Sequence, residues 1–239
     1  MSCCPPASHG ILDNADYKCK GNIEKVDDLN LYVVGQGDKC IIWNYDIYGF
    51  EGGRTRQHCD LLAKEGYLVI LPDYYRGTFV RVEDPHLGDF IKSFDFAKLQ
   101  PDFERVMSFA RGKGCTSVGA VGTCWGTYAV LKLSSYTEYK CGVSMHPSHP
   151  KMCGLLGESE EEVLRAVKGK HLFLAAGNDS ESAKSGGLAE KTLGESVTIV
   201  EFPDMIHGWS IRGDYSDATI KRDVDLAIDL YNKFFKENL

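Results

Sequence analysis

Residues 115–134 read Cys115-Thr116-Ser117-Val118-Gly119-Ala120-Val121-Gly122-Thr123-Cys124-Trp125-Gly126-Thr127-Tyr128-Ala129-Val130-Leu131-Lys132-Leu133-Ser134. Cys115–Gly122 is a short apolar run of strand character, and Trp125–Ser134 has the length and composition of a helix. Between them Gly122-Thr123-Cys124-Trp125-Gly126 forms a glycine–x–nucleophile–x–glycine turn with cysteine at its centre. Such a turn is tight enough that side chains at the two glycine positions would collide with neighbouring backbone. It lifts the central side chain above the sheet edge and aims it at the start of the following helix, whose positive dipole end favours a thiolate. On these residues alone, a tight strand–helix junction with an inert buried cysteine is an equal reading; the partners decide.

Working outward, strand and helix alternate along most of the chain. Asn22–Val26 and Leu29–Val34, separated by Asp27-Asp28, predict a hairpin. Lys39–Tyr45 and Tyr67–Leu71 read as apolar strands with a helix at Arg54–Glu65 between them. Residues Tyr74–Gln100 are mixed in charge and aromatic and predict a loop with short helices; Pro101–Arg111 predicts a helix with Pro101 in its first turn. Cys141–Met145 is a strand that runs into the loop His146-Pro147-Ser148-His149-Pro150. Glu158–Val167 predicts a helix, His171–Ala176 a strand, Ser180–Leu193 a helix and Val197–Phe202 a strand. Asp217–Lys236 closes the chain as a helix with Val224, Ala227, Ile228, Tyr231 and Phe235 on one face. The expected fold class is α/β: a mostly parallel sheet covered by helices on both faces. No repeat or linker divides it, so residues 1–239 are expected to form one domain, with residues 1–20 as a surface arm that begins with Cys3-Cys4-Pro5-Pro6.

Composition sets further bounds. The 239 residues are 43% hydrophobic and 26% charged, with a net charge of -7. That balance argues against a nucleic-acid or anionic-membrane partner, which would need a basic face. No apolar window is long enough for a membrane span, and Met1–Gly10 lacks the basic start and apolar core of a secretory signal. Nine cysteines without a compact spacing pattern, several inside apolar runs, point to free thiols in a reducing, cytoplasmic setting. No histidine–cysteine cluster has zinc spacing and no glycine-rich phosphate loop occurs, so neither metal nor cofactor is expected.

Two strand ends supply partners for Cys124. Leu172–Ala176 runs into Gly177-Asn178-Asp179, and Val197–Phe202 runs into Pro203-Asp204-Met205-Ile206-His207-Gly208-Trp209. Both ends lie on the face where ligands gather in open α/β sheets. The order nucleophile, acid, histidine is that of an α/β-hydrolase triad: His207 would take the proton from Cys124, and Asp179 would orient the imidazole. Asp204 is the competing acid, but an aspartate after proline commonly forms a turn. His146 and His149 are expected at the loop rim, and His9, His58, His86 and His171 have no supporting constellation.

With these residues placed, the sequence resembles the dienelactone hydrolase (carboxymethylenebutenolidase) family from about Tyr32 to Leu239. The resemblance rests on Tyr45-Asp46-Ile47-Tyr48-Gly49, Leu71-Pro72-Asp73-Tyr74-Tyr75-Arg76-Gly77, the cysteine turn, Ala176-Gly177-Asn178-Asp179, and His207-Gly208-Trp209-Ser210-Ile211-Arg212-Gly213-Asp214. It implies a cysteine-dependent hydrolase of a lactone or carboxylic ester acting through an acyl-cysteine. It implies an oxyanion hole from the Trp125 and Ile47 backbone N–H groups, and a carboxylate at Asp46, where bacterial members carry glutamate, that gates the nucleophile. It also implies that Arg212, and Arg76 at a slightly displaced position, hold a substrate carboxylate. Read without the resemblance, Asp46 could be a strand-end turn acid and the two arginines solvated charges. A broader carboxylesterase or thioesterase, or an idle relative acting as a binding protein, are the alternatives. The expected partner is a small lactone or ester, and the expected state a monomer or homodimer.

Overall fold

The computed structural model describes residues 4, 5 and 7–239, and it has the α/β-hydrolase fold. Eight strands form one sheet: β1 (Asn22–Val26), β2 (Leu29–Val34), β3 (Lys39–Asn44), β4 (Leu68–Pro72), β5 (Ser117–Thr123), β6 (Tyr139–Met145), β7 (Lys170–Ala176) and β8 (Val197–Phe202). Their spatial order is β1-β2-β4-β3-β5-β6-β7-β8. The hairpin β1–β2 and the β2–β4 pair are antiparallel, and every pairing from β4 to β8 is parallel. Strands β3 to β7 are buried almost throughout, whereas the edge strands β1 and β8 are half-exposed. This is why the inner strands read as continuous apolar runs.

The helices are α1 (Thr55–Lys64), α2 (Leu87–Lys92), α3 (Phe96–Gly112), α4 (Gly126–Leu133), α5 (His149–Leu156), α6 (Glu160–Arg165), α7 (Leu188–Leu193), α8 (Trp209–Arg212) and α9 (Ala218–Asn238). Asp217 caps α9, its side chain accepting from the Thr219 and Ile220 N–H groups. One stripe of α9, Val224, Ala227, Tyr231 and Phe235, is buried, and each large apolar side chain so buried contributes about 1.5–3 kcal/mol. Helix α3 begins earlier than the sequence predicts. Asp95 caps it by accepting from Lys98 N–H, which leaves Pro101 inside the helix rather than in its first turn. The cap offsets only part of the cost of a proline inside a helix; the buried face of α3 (Leu99, Phe103, Val106, Met107, Ala110) carries the rest. The expected helix over 180–193 is a 3₁₀ turn followed by the short α7. Part of the expected loop 146–150 is the start of α5.

Crossovers from β3 go one way to β4 and, further along the chain, β5 to β8 extend the sheet the other way. The sheet therefore has its switch point between β3 and β5. A crevice opens there at the carboxyl ends of the strands, and the residues that follow β3, β5, β7 and β8 converge on it.

Candidate active site

Cys124 follows β5 in the left-handed region, with φ 52°. For a residue with a β-carbon this conformation costs about 1–3 kcal/mol and persists only where the surroundings impose it. They do so through several bonds. Cys124 N–H donates to Met145 O at 3.2 Å, and Cys124 O accepts from Thr127 N–H, Thr127 Oγ1 and Ser148 N–H. A β-carbon on Gly122 would strike the Gly126 carbonyl, and one on Gly126 would strike the Asn44 carbonyl. Only glycine fits at either position, as the turn motif requires.

Asp179 stands just past β7 and His207 past β8. The His207 Nδ1–H donates to Asp179 Oδ1 at 2.6 Å, and both side chains are fully buried. The second Asp179 oxygen accepts from Ala176 N–H at 2.7 Å, so its carboxylate cannot swing away from the ring. Asn178 fixes the other side of the joint, its Oδ1 accepting from the His207 backbone N–H at 2.7 Å. The competing acid Asp204 is exposed and faces Arg222 at 3.9 Å, away from the ring. Burial alone would lower the His207 pKa, but the charges of Cys124 and Asp179, and hydrogen bonds to both, outweigh it and push the imidazole up to about 10. The ring is therefore held as imidazolium in the resting site.

Three neighbours were not anticipated as site residues. Ser148 Oγ donates to the Cys124 sulfur at 3.4 Å and lies 3.4 Å from His207 Nε2. His146 is buried with φ 37°. Its ring packs edge-on against His207 at 5.0 Å, and its Nε2 shares a hydrogen bond with Ser210 Oγ at 2.8 Å. It is thus not a rim residue; burial and the nearby His207 charge keep it well below the usual histidine range. His149 is likewise buried, beside Glu160 at 3.4 Å. Because β6 adjoins β5, whatever follows β6 must sit beside the cysteine turn, a signal the sequence carried. The third neighbour is Cys4, whose sulfur lies 3.4 Å from that of Cys124. No pattern in the sequence joins residues 120 apart. The two sulfurs and a His207 ring nitrogen lie within 4.8 Å of one another, a donor set a thiophilic ion such as zinc could use.

Behind the histidine, α8 is braced from α1. Arg54 donates to the carbonyls of Gly213 and Trp209. His58 Nε2 donates to Ser210 O and its Nδ1 accepts from Tyr231 OH. His58 thus has a structural constellation that was not anticipated; burial pushes it down to about 4, so it serves as a neutral strut.

Ile47 and Trp125 flank the crevice. Both are fully buried, and among the described residues neither backbone N–H donates to a protein acceptor. Two buried, unspent donors beside a nucleophile are an arrangement able to hold an oxyanion. Trp125 is locked by aromatic packing on Tyr75 at 4.8 Å and Tyr45 at 6.0 Å, and Val80 N–H anchors the Ile47 carbonyl at 3.0 Å.

The charged residues differ from expectation. Asp46 is committed to Arg212: Oδ2 accepts from Nη1 in a fully buried ion pair, and Oδ1 accepts from Tyr48 N–H at 2.9 Å. With both oxygens engaged, it does not hydrogen-bond the thiol in the resting site. Arg212 also donates through Nε to His9 O at 2.9 Å and lies over the Tyr48 ring. Arg76 is not brought to the site. Its Nη1 and Nη2 grip Asp102 at 2.9 and 3.0 Å, and its Nε reaches Asp28 at 2.9 Å. A guanidinium spent on two carboxylates has no donor fork left for a substrate, so Arg76 is a brace between the β1–β2 turn and α3. On the arm's outer side lies a cavity of about 820 Å³, lined among others by Cys4, Val82, Glu83, Pro150, Lys151 and Leu155.

The sequence profile of the dienelactone hydrolase family matches residues 32–239. The chain belongs to that family. It is 27% identical to hydrolase tropI of Talaromyces stipitatus, over 91% of this chain and 92% of that one. It is 28% identical to the carboxymethylenebutenolidase homolog of Rattus norvegicus, over 73% of this chain and 71% of that one. Among solved structures it superposes on a thermophilic esterase from Thermogutta terrifontis with a TM-score of 0.57, at 15% identity, covering 90% of this chain and 94% of the other. Membership of the family makes this dienelactone hydrolase relative a hydrolase of the ester and lactone class. Among the described residues, no helix is long and apolar enough to cross a membrane.

Proposed function

We propose that this family member cleaves a lactone or carboxylic ester through an acyl-cysteine intermediate on Cys124, with His207 and Asp179 completing a Cys-His-Asp triad. The observation that carries the reading is the strained, left-handed Cys124 between two obligatory glycines, its sulfur beside an imidazole whose far nitrogen is bound to Asp179. A protein rarely holds such strain without use for it. A catalytically idle relative would be free to lose one of these features, and none is lost.

In the proposed cycle the Cys124 thiolate adds to the ester carbonyl, and the oxyanion accepts from the Ile47 and Trp125 N–H groups. Collapse breaks the C–O bond to the leaving alkoxide, which takes the proton from imidazolium His207. Neutral His207 then draws a proton from water, which attacks the thioester and releases the acid and the thiolate. Asp179 keeps Nδ1 protonated throughout, so that Nε2 is the nitrogen facing sulfur and substrate. With a lactone the leaving alkoxide stays tethered and can re-close the ring, so productive turnover needs deacylation faster than re-closure.

Arg212 is the cation available for a substrate carboxylate, which would exchange for Asp46 on its guanidinium. Arg212→Gln is then expected to raise KM for esters bearing a carboxylate by about 10-fold or more beyond its effect on neutral aryl esters, the worth of a charge-assisted pair. Equal losses for both kinds of ester would count against carboxylate binding. Arg76→Ala should not change the acidic-to-neutral ratio. The test of the whole reading is turnover of lactones and aryl esters by wild type and Cys124→Ala, with a fold control. An alanine variant that keeps more than about a tenth of the activity rules out the cysteine mechanism.

A further inference from the structure

The arm that covers the triad is held by the triad's own backbone. His9 N–H donates to His207 O at 2.9 Å, and Arg212 Nε donates to His9 O at 2.9 Å. Ser8 Oγ bonds back to Pro5 O at 2.6 Å, turning the chain so that Cys4 points inward. Cys4 is buried, with 2% of its surface exposed, and Cys124 has none. The thiol of the arm stands where an approaching substrate would meet the nucleophile. Their sulfurs are 3.4 Å apart. A disulfide needs about 2.0 Å, so closure requires the sulfurs to approach by about 1.4 Å, within the reach of side-chain rotation and a slight arm shift.

We propose that Cys4 is the resolving partner of Cys124: a hydroperoxide-class oxidant oxidises the nucleophile, and Cys4 then closes a reversible Cys4–Cys124 disulfide that locks the arm over the site. The proposal rests on the reading of Cys124 as a reactive nucleophile. In the first step the Cys124 thiolate attacks the peroxide, the O–O bond breaks, and a sulfenic acid forms; the departing alkoxide takes a proton from His207 and leaves as an alcohol, or as water from hydrogen peroxide. In the second step Cys4 sulfur attacks the sulfenyl sulfur, the S–O bond breaks, and hydroxide leaves as water with the Cys4 proton. Two electrons, one from each thiol, have reduced one peroxide. A dithiol restores both cysteines by exchange.

Two features suit this chemistry. His207 lies beside the Cys124 sulfur, where its ring proton can go to the oxygen that leaves the peroxide. The cavity beside Cys4 leaves room next to the resolving thiol for the arm to shift as the sulfurs close. Without a resolving thiol within reach, the sulfenic acid would go on to the sulfinic acid, which a dithiol does not reverse. The arm is therefore a store for the nucleophile under oxidative conditions, at the cost of having to swing aside for substrate.

The test uses full-length protein treated with hydrogen peroxide and alkylated with N-ethylmaleimide, then digested without reduction and mapped by mass. Wild type is expected to yield a peptide pair joined through Cys4 and Cys124, to lose aryl-ester hydrolysis in step with that pair, and to recover most of it in dithiothreitol. Cys4→Ser, with Cys4→Ala as a second variant, is expected to form sulfinic acid on Cys124 and recover less than about a tenth of the lost activity. A linkage of Cys124 to Cys3 or any other cysteine, or equal recovery in wild type and both variants, overturns the proposal. The mass map does not depend on turnover, so the two readings can fail separately. If Cys124→Ala is inactive but wild type forms no Cys4–Cys124 pair, the resolving role falls alone. If Cys124→Ala remains active, the nucleophile reading falls, whatever the map shows.

Discussion

Residues 117–133 and residues 4–17 both end at the Cys124 sulfur, but they reach it by different physics. The first segment is strand, turn and helix, nearly all buried. Its path is fixed by ladder bonds on both sides of β5 and by two glycines that nothing else can replace. The second has no regular structure among its described residues and is exposed or half-exposed from Ala7 on. It is held over the site by single hydrogen bonds, of which His9 to His207 is one. A segment tied by many buried bonds opens only with the whole fold, whereas one tied by a few opens locally at small cost. On the proposed reading the difference separates two tasks: the sheet keeps the chemistry in register, and the arm sets when the sulfur is reached.

The sharpest way to break this contrast is to remove chemistry from the rigid side. His207→Ala is expected to lower kcat/KM for an aryl ester by about three orders of magnitude or more in protein that is still folded at the assay temperature. A loss of tenfold or less would mean that the rigid side does not carry the reaction.

The next comparison sets the two arginines against each other through stability. Asp46→Ala leaves Arg212 charged and buried without its ion-pair partner, which should cost about 3–5 kcal/mol of unfolding free energy. Arg76→Ala removes a brace that is one-third exposed, beside an Asp28 that is two-thirds exposed, and should cost about 1 kcal/mol. Chemical denaturation of the two variants orders them; a larger loss for Arg76→Ala would contradict the burial argument.

How much of this was legible in the sequence follows from the same contrast. The eight strands and the ends from which Cys124, Asp179 and His207 project could be read because apolar period and turn residues encode them locally. The turn at Gly122–Gly126 and the run-outs at Gly177–Asp179 and Pro203–Trp209 then had to meet at one sheet edge. The resemblance set Arg76 near a substrate carboxylate at a displaced position, whereas its hydrogen-bond partners, Asp28 and Asp102, lie 48 and 26 residues away on the sequence. The resemblance set Asp46 against the thiol, and nothing local in the sequence reveals its pairing with Arg212, 166 residues on. Cys4 escaped for the same reason: an aperiodic arm carries no information about where it lands. Cys3, read together with it, lies outside the described residues.

A smaller effect separates the resting charge state from the fold. His207 is raised from 6.5 to about 10. A raised histidine contributes stability that is complete below about 6.5 and is lost as pH climbs through about 10. The same proton serves the leaving group. For alkyl esters kcat/KM should fall above about pH 10, by about tenfold per unit, and for aryl esters less, since their leaving group needs no acid. Parallel profiles for the two ester types would remove His207 from the role of acid.

The smallest expected effect sharpens the arm side alone. His9→Pro deletes the N–H that donates to His207 O. A hydrogen bond contributes about 1 kcal/mol net, so iodoacetamide should label Cys124 about fivefold faster while the melting profile stays put. An unchanged rate would mean that the arm does not limit access.

The most direct test of the central claim is to quench the enzyme during turnover of an aryl ester and map the acyl group by mass. The account predicts one acyl group on the peptide carrying Cys124, formed and lost at the rate of turnover and absent in Cys124→Ala. Ser148 is the informative rival, since its Oγ lies 3.4 Å from both the Cys124 sulfur and His207 Nε2. An acyl group on Ser148, or turnover with no acyl-enzyme formed at a competent rate, would contradict it.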